Sequence, residues 1–379
     1  MTNKKAIRVA MFGPKLSATS GISAVVNNWL AVGLDRGVDL DYIATLDEYV
    51  PGQAGRKLLN ALRSYLTCLR VTRLSKDIAH IHVSSHMSFY RKLGIFLWCK
   101  INALPVVVHL HGSSFEEFHD SGSSLQRFLI RFMCEKASVV LALSKSWAAF
   151  ISKIAPASRV VVLYNGAPAD LYQGVPPARD EVIILFMGRL GGRKGTADLL
   201  DAFTAIESQF SQARLILAGD GEVEKFRAIV SYRGLDDRVS IPGWIGADRK
   251  SEMFVNCDIY ALPSYNEGLP GSILEAMASQ KPILSTPVGG IAEAVKHGVN
   301  GYLVEPGDVE ALARNLAELV ADAGLRDKMG RASRKILMEN FESAAIVKRL
   351  IRIYDAAIDT RSDELSEFEF QRSQMNDIQ

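Results

Sequence analysis

Cysteine is scarce in this chain: Cys68, Cys99, Cys134 and Cys257 are scattered over 379 residues, with no CxxC spacing and no histidine nearby in a ligand pattern. That argues against a disulfide-stapled scaffold and a zinc module, and it fits a reducing cytoplasm. Long apolar runs are missing too, because the most apolar region, 94–110, is broken by Lys100, Asn102 and Pro105. Any membrane association is therefore expected to be peripheral. The opening MTNKKAIRVAMFG holds too short an apolar run for a signal peptide and reads as a first strand. There is no short-period repeat, no low-complexity tract and no GxxxxGK[ST] phosphate loop.

Excess charge is nearly absent as well, with a net +2, but the small total hides an asymmetry. Residues 1–178 carry 20 Lys/Arg against 11 Asp/Glu, and the remainder carries 24 against 31. No nucleic-acid-binding motif accompanies the basic half, so nucleic acid is not an expected partner. Within that half, 54–76 reads as an amphipathic helix with Leu58, Leu59, Leu62, Leu66 and Leu69 in one stripe and Arg56, Arg63 and Arg70 beside it. Segments 90–98 and 125–132 set aromatics next to cations. Either these apolar faces are core with a solvated rim, or they dock on an anionic membrane.

What the chain does have is length and rhythm. It is too long for one core and implies two domains. Short apolar runs at 7–12, 40–44, 78–83, 106–109, 139–143 and 160–163 alternate with helical patterns, and the rhythm returns at 182–187, 215–218, 239–241, 259–262, 283–285 and 302–304. Strand, helix, strand with right-handed crossovers gives a parallel doubly wound α/β sheet, twice. Pro168, Pro176 and Pro177 mark 166–180 as the linker. The expected division is an N-terminal domain over 1–170, a second over 171–341, a helix at 342–359 that packs back on the first, and a poorly ordered acidic tail from 360 to 379.

The candidate chemistry gathers where strands end. Tyr265-Asn-Glu-Gly-Leu-Pro-Gly-Ser-Ile-Leu-Glu275 follows a buried strand and opens a helix at Gly271. Glu267 then lies on a strand-to-helix loop and Glu275 on the helix's second turn, at the ligand edge of such a sheet. Pro270 and Gly271 sit where backbone N–H groups and a helix dipole face an anion. Upstream, Gly188-Arg189-Leu-Gly-Gly-Arg193-Lys194-Gly195 places cations on glycine-rich backbone after a strand, suited to neutralising a diphosphate. Gly219 and Gly221, and later Gly289 and Gly290, form turns after further strands. In the first half, Gly21 opens a helix after the first strand, either approaching a phosphate or simply following a Ser N-cap. His111 sits just past a buried strand, where a structural role and a ligand role are equally open.

GRLGGRKG, AGDG, NEGLPGSILEAMA, KPILSTPVGGIAEAV and HGVNGYLVEPGD, together with HLHGS, LALSKS and VLYNGAPADLY upstream, follow the order and spacing of one family. By them the chain resembles the retaining glycosyltransferases of the GT-B fold, family 4 (group 1), over nearly its whole length. The resemblance implies two Rossmann-like doubly wound domains facing each other across a cleft. It implies that Glu267 holds the donor sugar's hydroxyls and Glu275 the ribose. Arg189 and Lys194 would stabilise the leaving diphosphate, and Gly268, Leu269, Pro270 and Gly271 would line the sugar pocket, with Gly219 nearby. His111 and Gly21 would approach the sugar and phosphates from the other domain. Two departures are visible: Ser20 precedes Gly21 where the family often has a Gly-Gly pair, and Leu269 replaces a frequent aromatic.

The expected activity is metal-independent, cofactor-free transfer, with retention, of a hexosyl unit from a nucleotide-sugar, UDP-linked in the first instance. The expected acceptor is a glycan or a polyprenyl-diphosphate-linked saccharide at the cytoplasmic face of the plasma membrane. GDP-mannose is the rival donor. A nucleotide-sugar 2-epimerase, a phosphorylase or an inactive nucleotide-binding scaffold remain the alternatives, separable by product analysis.

Overall fold

The computed structural model describes residues 6–18, 20–45, 76–112, 114–174 and 176–359, with Leu365, Glu367, Phe368 and Phe370. The helix expected at 54–76 lies outside the described residues except for Lys76. The chain forms two compact units, one running to Asn165 and resuming at Ser343, the other spanning Gly166–Glu342. The boundary thus precedes the expected 170, because Ala167 already donates its N–H to the Phe341 carbonyl at 3.1 Å and bridges to Glu342.

The first unit is a parallel sheet of β1 (Arg8–Gly13), β2 (Asp39–Ala44), β3 (Ile78–Val83), β4 (Val106–Leu110), β5 (Val139–Ala142) and β6 (Val160–Val162), ordered β2-β1-β3-β4-β5-β6. The second holds β7 (Val182–Met187), β8 (Ala213–Ala218), β9 (Val239–Gly243), β10 (Ile259–Leu262), β11 (Ile283–Ser285) and β12 (Gly301–Leu303), ordered β9-β8-β7-β10-β11-β12. Every strand pairing within the two sheets is parallel among the described residues. Both are Rossmann-like, and each reverses its strand order once: between β1 and β3, and between β7 and β10. Ligands of such sheets bind beyond the carboxyl ends of the strands at that reversal.

The helices used below are α1 (Gly21–Ala31), α2 (Met87–Ile101), α3 (Ser124–Lys136), α4 (Thr196–Ile206), α5 (Ala247–Asn256), α6 (Gly271–Ala278) and α7 (Ser343–Ile358). Continuous apolar strands such as VVVHL are needed because both sheet faces are covered. In the first unit, Ala10 and Phe12 point to a core shared with Phe89 of α2 and Ile130 of α3. Val9 and Met11, one residue out of phase, point to a second core with Trp29 of α1 and Leu350 of α7. The helix after residue 342 therefore builds the first unit. The tail was expected to be poorly ordered, yet Leu365, Phe368 and Phe370 are buried against these cores and Phe370 N–H reaches the Val160 carbonyl at 2.7 Å. Apolar side chains in an otherwise acidic stretch account for that difference. Among the described residues no helix is long and apolar enough to cross a membrane.

Candidate active site

In the second unit the candidate residues meet at the β7/β10 reversal. From β7 the chain passes Gly188 and Arg189 into a 3₁₀ turn, Gly192–Lys194, and Gly195 then starts α4 in the left-handed region at φ 64°. A Cβ on Gly195 would stand 2.0 Å from the Pro263 carbonyl, so only glycine lets this turn lie against the loop that leaves β10. The consequence is a bridge between the two loops. Lys194 Nζ donates to Glu267 Oε1, Ser264 Oγ donates to the same oxygen at 2.9 Å, and Arg193 stands 3.5 Å from it. Arg193 also holds the Asn266 carbonyl at 3.0 Å, while its own carbonyl accepts the Tyr265 N–H at 2.9 Å.

Behind this loop, Gly289 sits at φ 59° where a Cβ would meet the Glu267 carbonyl at 2.0 Å, and Gly290 N–H donates to the Gly268 carbonyl at 2.5 Å. Glu267 is 7 % exposed and Leu269 3 %, so both belong to the packed wall of the loop. Pro270 precedes α6 with no side chain capping its first turn, and the space in front of Gly271 is open. The first backbone N–H groups of a helix thus stand beside a Lys–Glu pair.

Glu275, one turn into α6, is 2 % exposed. Its Oε1 accepts from Lys250 Nζ of α5 at 2.6 Å, while Oε2 is buried with no hydrogen-bond partner. Beside this carboxylate lies the Tyr172 hydroxyl, whose pKa burial and then Glu275 raise. Lys250 was not anticipated from the sequence.

Arg189 stands apart from that bridge. It is 71 % exposed and lies 3.7 Å from Asp220, on the turn that Gly219 opens after β8. Of the three cations on the glycine-rich run, Arg193 and Lys194 are the two that reach Glu267. The sequence marks Arg193 only as part of the run.

In the first unit, Gly21 begins α1 behind Ser20, whose Oγ accepts the Ser23 N–H at 3.1 Å, and nothing lies within 4 Å of where its Cβ would be. Both proposed features of the loop, cap and open glycine, are present together. His111 N–H donates to the Val83 carbonyl at 2.6 Å, just past β4, and its Nε2 meets His82 Nδ1 at 2.9 Å. Burial, and then the Lys92 ammonium, lower its pKa to about 3, so the ring is neutral at physiological pH. An Asp39-Leu-Asp41 spacing lies on β2 at the amino edge of the sheet, with Asp41 held by Lys76.

Comparison with known proteins settles the family. The model described as "Glycosyl transferases group 1" matches residues 172–336 and that of "Glycosyltransferase Family 4" matches 20–171. N-acetyl-alpha-D-glucosaminyl L-malate synthase of Bacillus anthracis is 31 % identical over 295 residues, covering 74 % of this chain and 75 % of that protein. The chain belongs to glycosyltransferase family 4. An uncharacterized glycosyltransferase of Methanocaldococcus jannaschii is 28 % identical to this family 4 chain over 236 residues, covering 58 % of the chain and 60 % of that protein. In fold, the chain is similar to Anabaena HepE in complex with UDP-glucose, with TM-score 0.72 and 21 % identity over 92 % of this chain and 99 % of that one.

Proposed function

We propose that this family 4 glycosyltransferase moves a hexosyl unit, with retention of anomeric configuration and without a metal ion, from a UDP-sugar to a lipid-linked or surface-polysaccharide saccharide. The observation that carries the reading is the Lys194–Glu267 pair beside the uncapped start of α6 at the β7/β10 reversal. A diphosphate at that helix end would meet backbone N–H groups, Lys194 and Arg193, preorganised where negative charge grows as the sugar–phosphate bond breaks. Arg189 joins them by leaving Asp220. Glu267 orients the sugar hydroxyls and Glu275 Oε2 accepts a ribose hydroxyl. The acceptor oxygen bonds to the anomeric carbon on the face the phosphate leaves, and its proton passes to the departing phosphate oxygen. The two carboxylates therefore differ in role from the acid and nucleophile of glycosidases. HepE, similar in fold, was crystallised with UDP-glucose, which supports a nucleotide-sugar as the donor.

The lipid-linked acceptor is supported by α2 and α3, joined by the Tyr90–Gln126 hydrogen bond, which expose Met87, Leu97, Ile101, Leu125 and Phe128 next to Lys100, Arg127 and Arg131. The test of the transfer reading is turnover of Lys194→Ala with UDP-sugars in the presence of EDTA. A loss on the order of 10² or more is expected, as for deletion of an oxyanion donor. Native turnover in that variant, or a native enzyme silenced by EDTA and restored by Mn²⁺, would refute it.

A further inference from the structure

Four of the chain's seven histidines converge in the first unit. His80 and His82 occupy alternate positions of β3, His109 lies on β4 in register with His82, and His111 follows two residues on. Strand parity sends all four to one face, where Trp29 of α1 stacks on His109 and Tyr354 of α7 contacts His80. His80, His82 and His109 have no exposed surface, and His111 is 5 % exposed. His80, His82 and His109 also bring ligand atoms within 4.8 Å of one another. No described carboxylate or thiolate joins them, and the buried Lys92 ammonium bears on His82 and His111, so a divalent cation would find no counter-charge there. The cluster is a neutral hydrogen-bond network.

Its tautomers can be assigned from the partners. His80 Nδ1 meets Tyr354 OH at 2.6 Å, His80 Nε2 meets His109 Nδ1 at 3.3 Å, and His82 Nδ1 meets His111 Nε2 at 2.9 Å. His82 Nε2 and His109 Nε2 are buried with no partner. A neutral imidazole carries one N–H and one lone pair. Were His111 Nε2 the donor, the proton of His82 would have to sit on Nε2, a buried N–H with no acceptor. With His82 Nδ1–H donating instead, Nε2 is left only an unused lone pair. Orphaned buried donors are rarer than under-satisfied acceptors, so the second arrangement holds.

We infer that His82 is a positioning residue that fixes His111 as the Nδ1–H tautomer, so that His111 offers a ligand oxygen a hydrogen-bond donor and not a base at the carboxyl edge of the first sheet. The inference rests on the proposed transfer reaction for its catalytic consequence and on the network alone for the tautomer. Long-range ¹H–¹⁵N spectra of protein labelled at histidine read the tautomer without any substrate. Nδ1-protonated His111 is expected in the native protein, and Nε2-protonated His111 overturns the inference. In His82→Leu that preference should disappear and turnover should fall on the order of tenfold or more with donor KM little changed, as when other tautomer-fixing partners are removed. His82→Asn, whose amide N–H falls near the place of Nδ1–H, should restore most of it. Native turnover in His82→Leu also overturns the inference. If His82→Leu does not fold, the native spectrum and His82→Asn still decide. A native protein with the expected tautomer but no transfer from any nucleotide-sugar would remove the proposed reaction and leave the assignment standing.

Discussion

Lys250 and Glu275 show how one contact ties stability to the candidate site. The carboxylate side chain is 3 % exposed and its ammonium partner 27 %. Removing only the cation strands a buried charge, whereas removing both charges does not. Lys250→Met is therefore expected to cost on the order of 2–3 kcal/mol, below the range for a fully enclosed pair because the ammonium keeps some water. Adding Glu275→Gln in the same chain should recover most of it while nucleotide-sugar binding stays weak. Urea midpoints of the two singles and the double would measure the coupling, and simple additivity would show that the pair does no such work. At this scale legibility was uneven. Glu267, Glu275 and Lys194 were readable because each lies in a run whose strand, turn and helix are set locally. Lys250 was not, since its partner is 25 residues away and only the seating of α5 beside α6 brings them together. The glycine-rich run offered three cations, and only the 3₁₀ turn decides that Arg193 and Lys194 face Glu267. His82 did carry a signal, histidines at alternate positions on two neighbouring strands, but alternation there was read as buried strand alone.

Among the elements, strands were the most legible, and each of the twelve expected ones is present within two residues of its bounds. A strand buried on both faces must be a continuous apolar run, and few other structures use one so short. Helix starts were legible where a local signal marks them: α1 begins at Gly21 behind the Ser20 cap, and α6 at Gly271 after Pro270. The α2 and α3 pair posed a different question, core or membrane face, and the core answer accounts for one side of it. Phe89, Phe96 and Ile130 are buried, while Ile101 and Phe128 are 77 % and 60 % exposed on the other side. Ile101→Glu with Phe128→Glu should leave the melting temperature within the scatter of surface substitutions and abolish salt-sensitive cosedimentation with anionic vesicles. Retained binding in that variant, or no binding by the native protein at low salt, would end the membrane reading.

For the whole molecule, the two units carry separate cores and a different share of the titratable burden. The first contains His80, His82, His109 and His111, whose pKa values burial pushes down, to about 3 for His80 and His111 and well below 6.5 for His82 and His109. Like-charged neighbours, the other imidazoles and Lys92, add to the lowering where they bear on these rings. The folded unit then binds fewer protons than the unfolded chain between the lowered values and 6.5. Its stability is whole above 6.5 and is lost as pH falls through that window, by about 1.4 kcal/mol per pH unit for each histidine titrating independently. At pH 5 the loss is roughly 2 kcal/mol apiece, and four such groups approach the 5–15 kcal/mol that holds an ordinary domain. No histidine of the second unit is buried in this way; its described His297 is exposed. Acidification from pH 7 to pH 5 should therefore unfold the first unit while the second persists. Hydrogen exchange would show amides of β3 and β4 losing protection while those of β7 and β10 keep it. Loss of β7 and β10 first, or equal loss in both units, would mean that the imidazoles do not set the acid limit, whereas His80→Phe should move the first transition to lower pH.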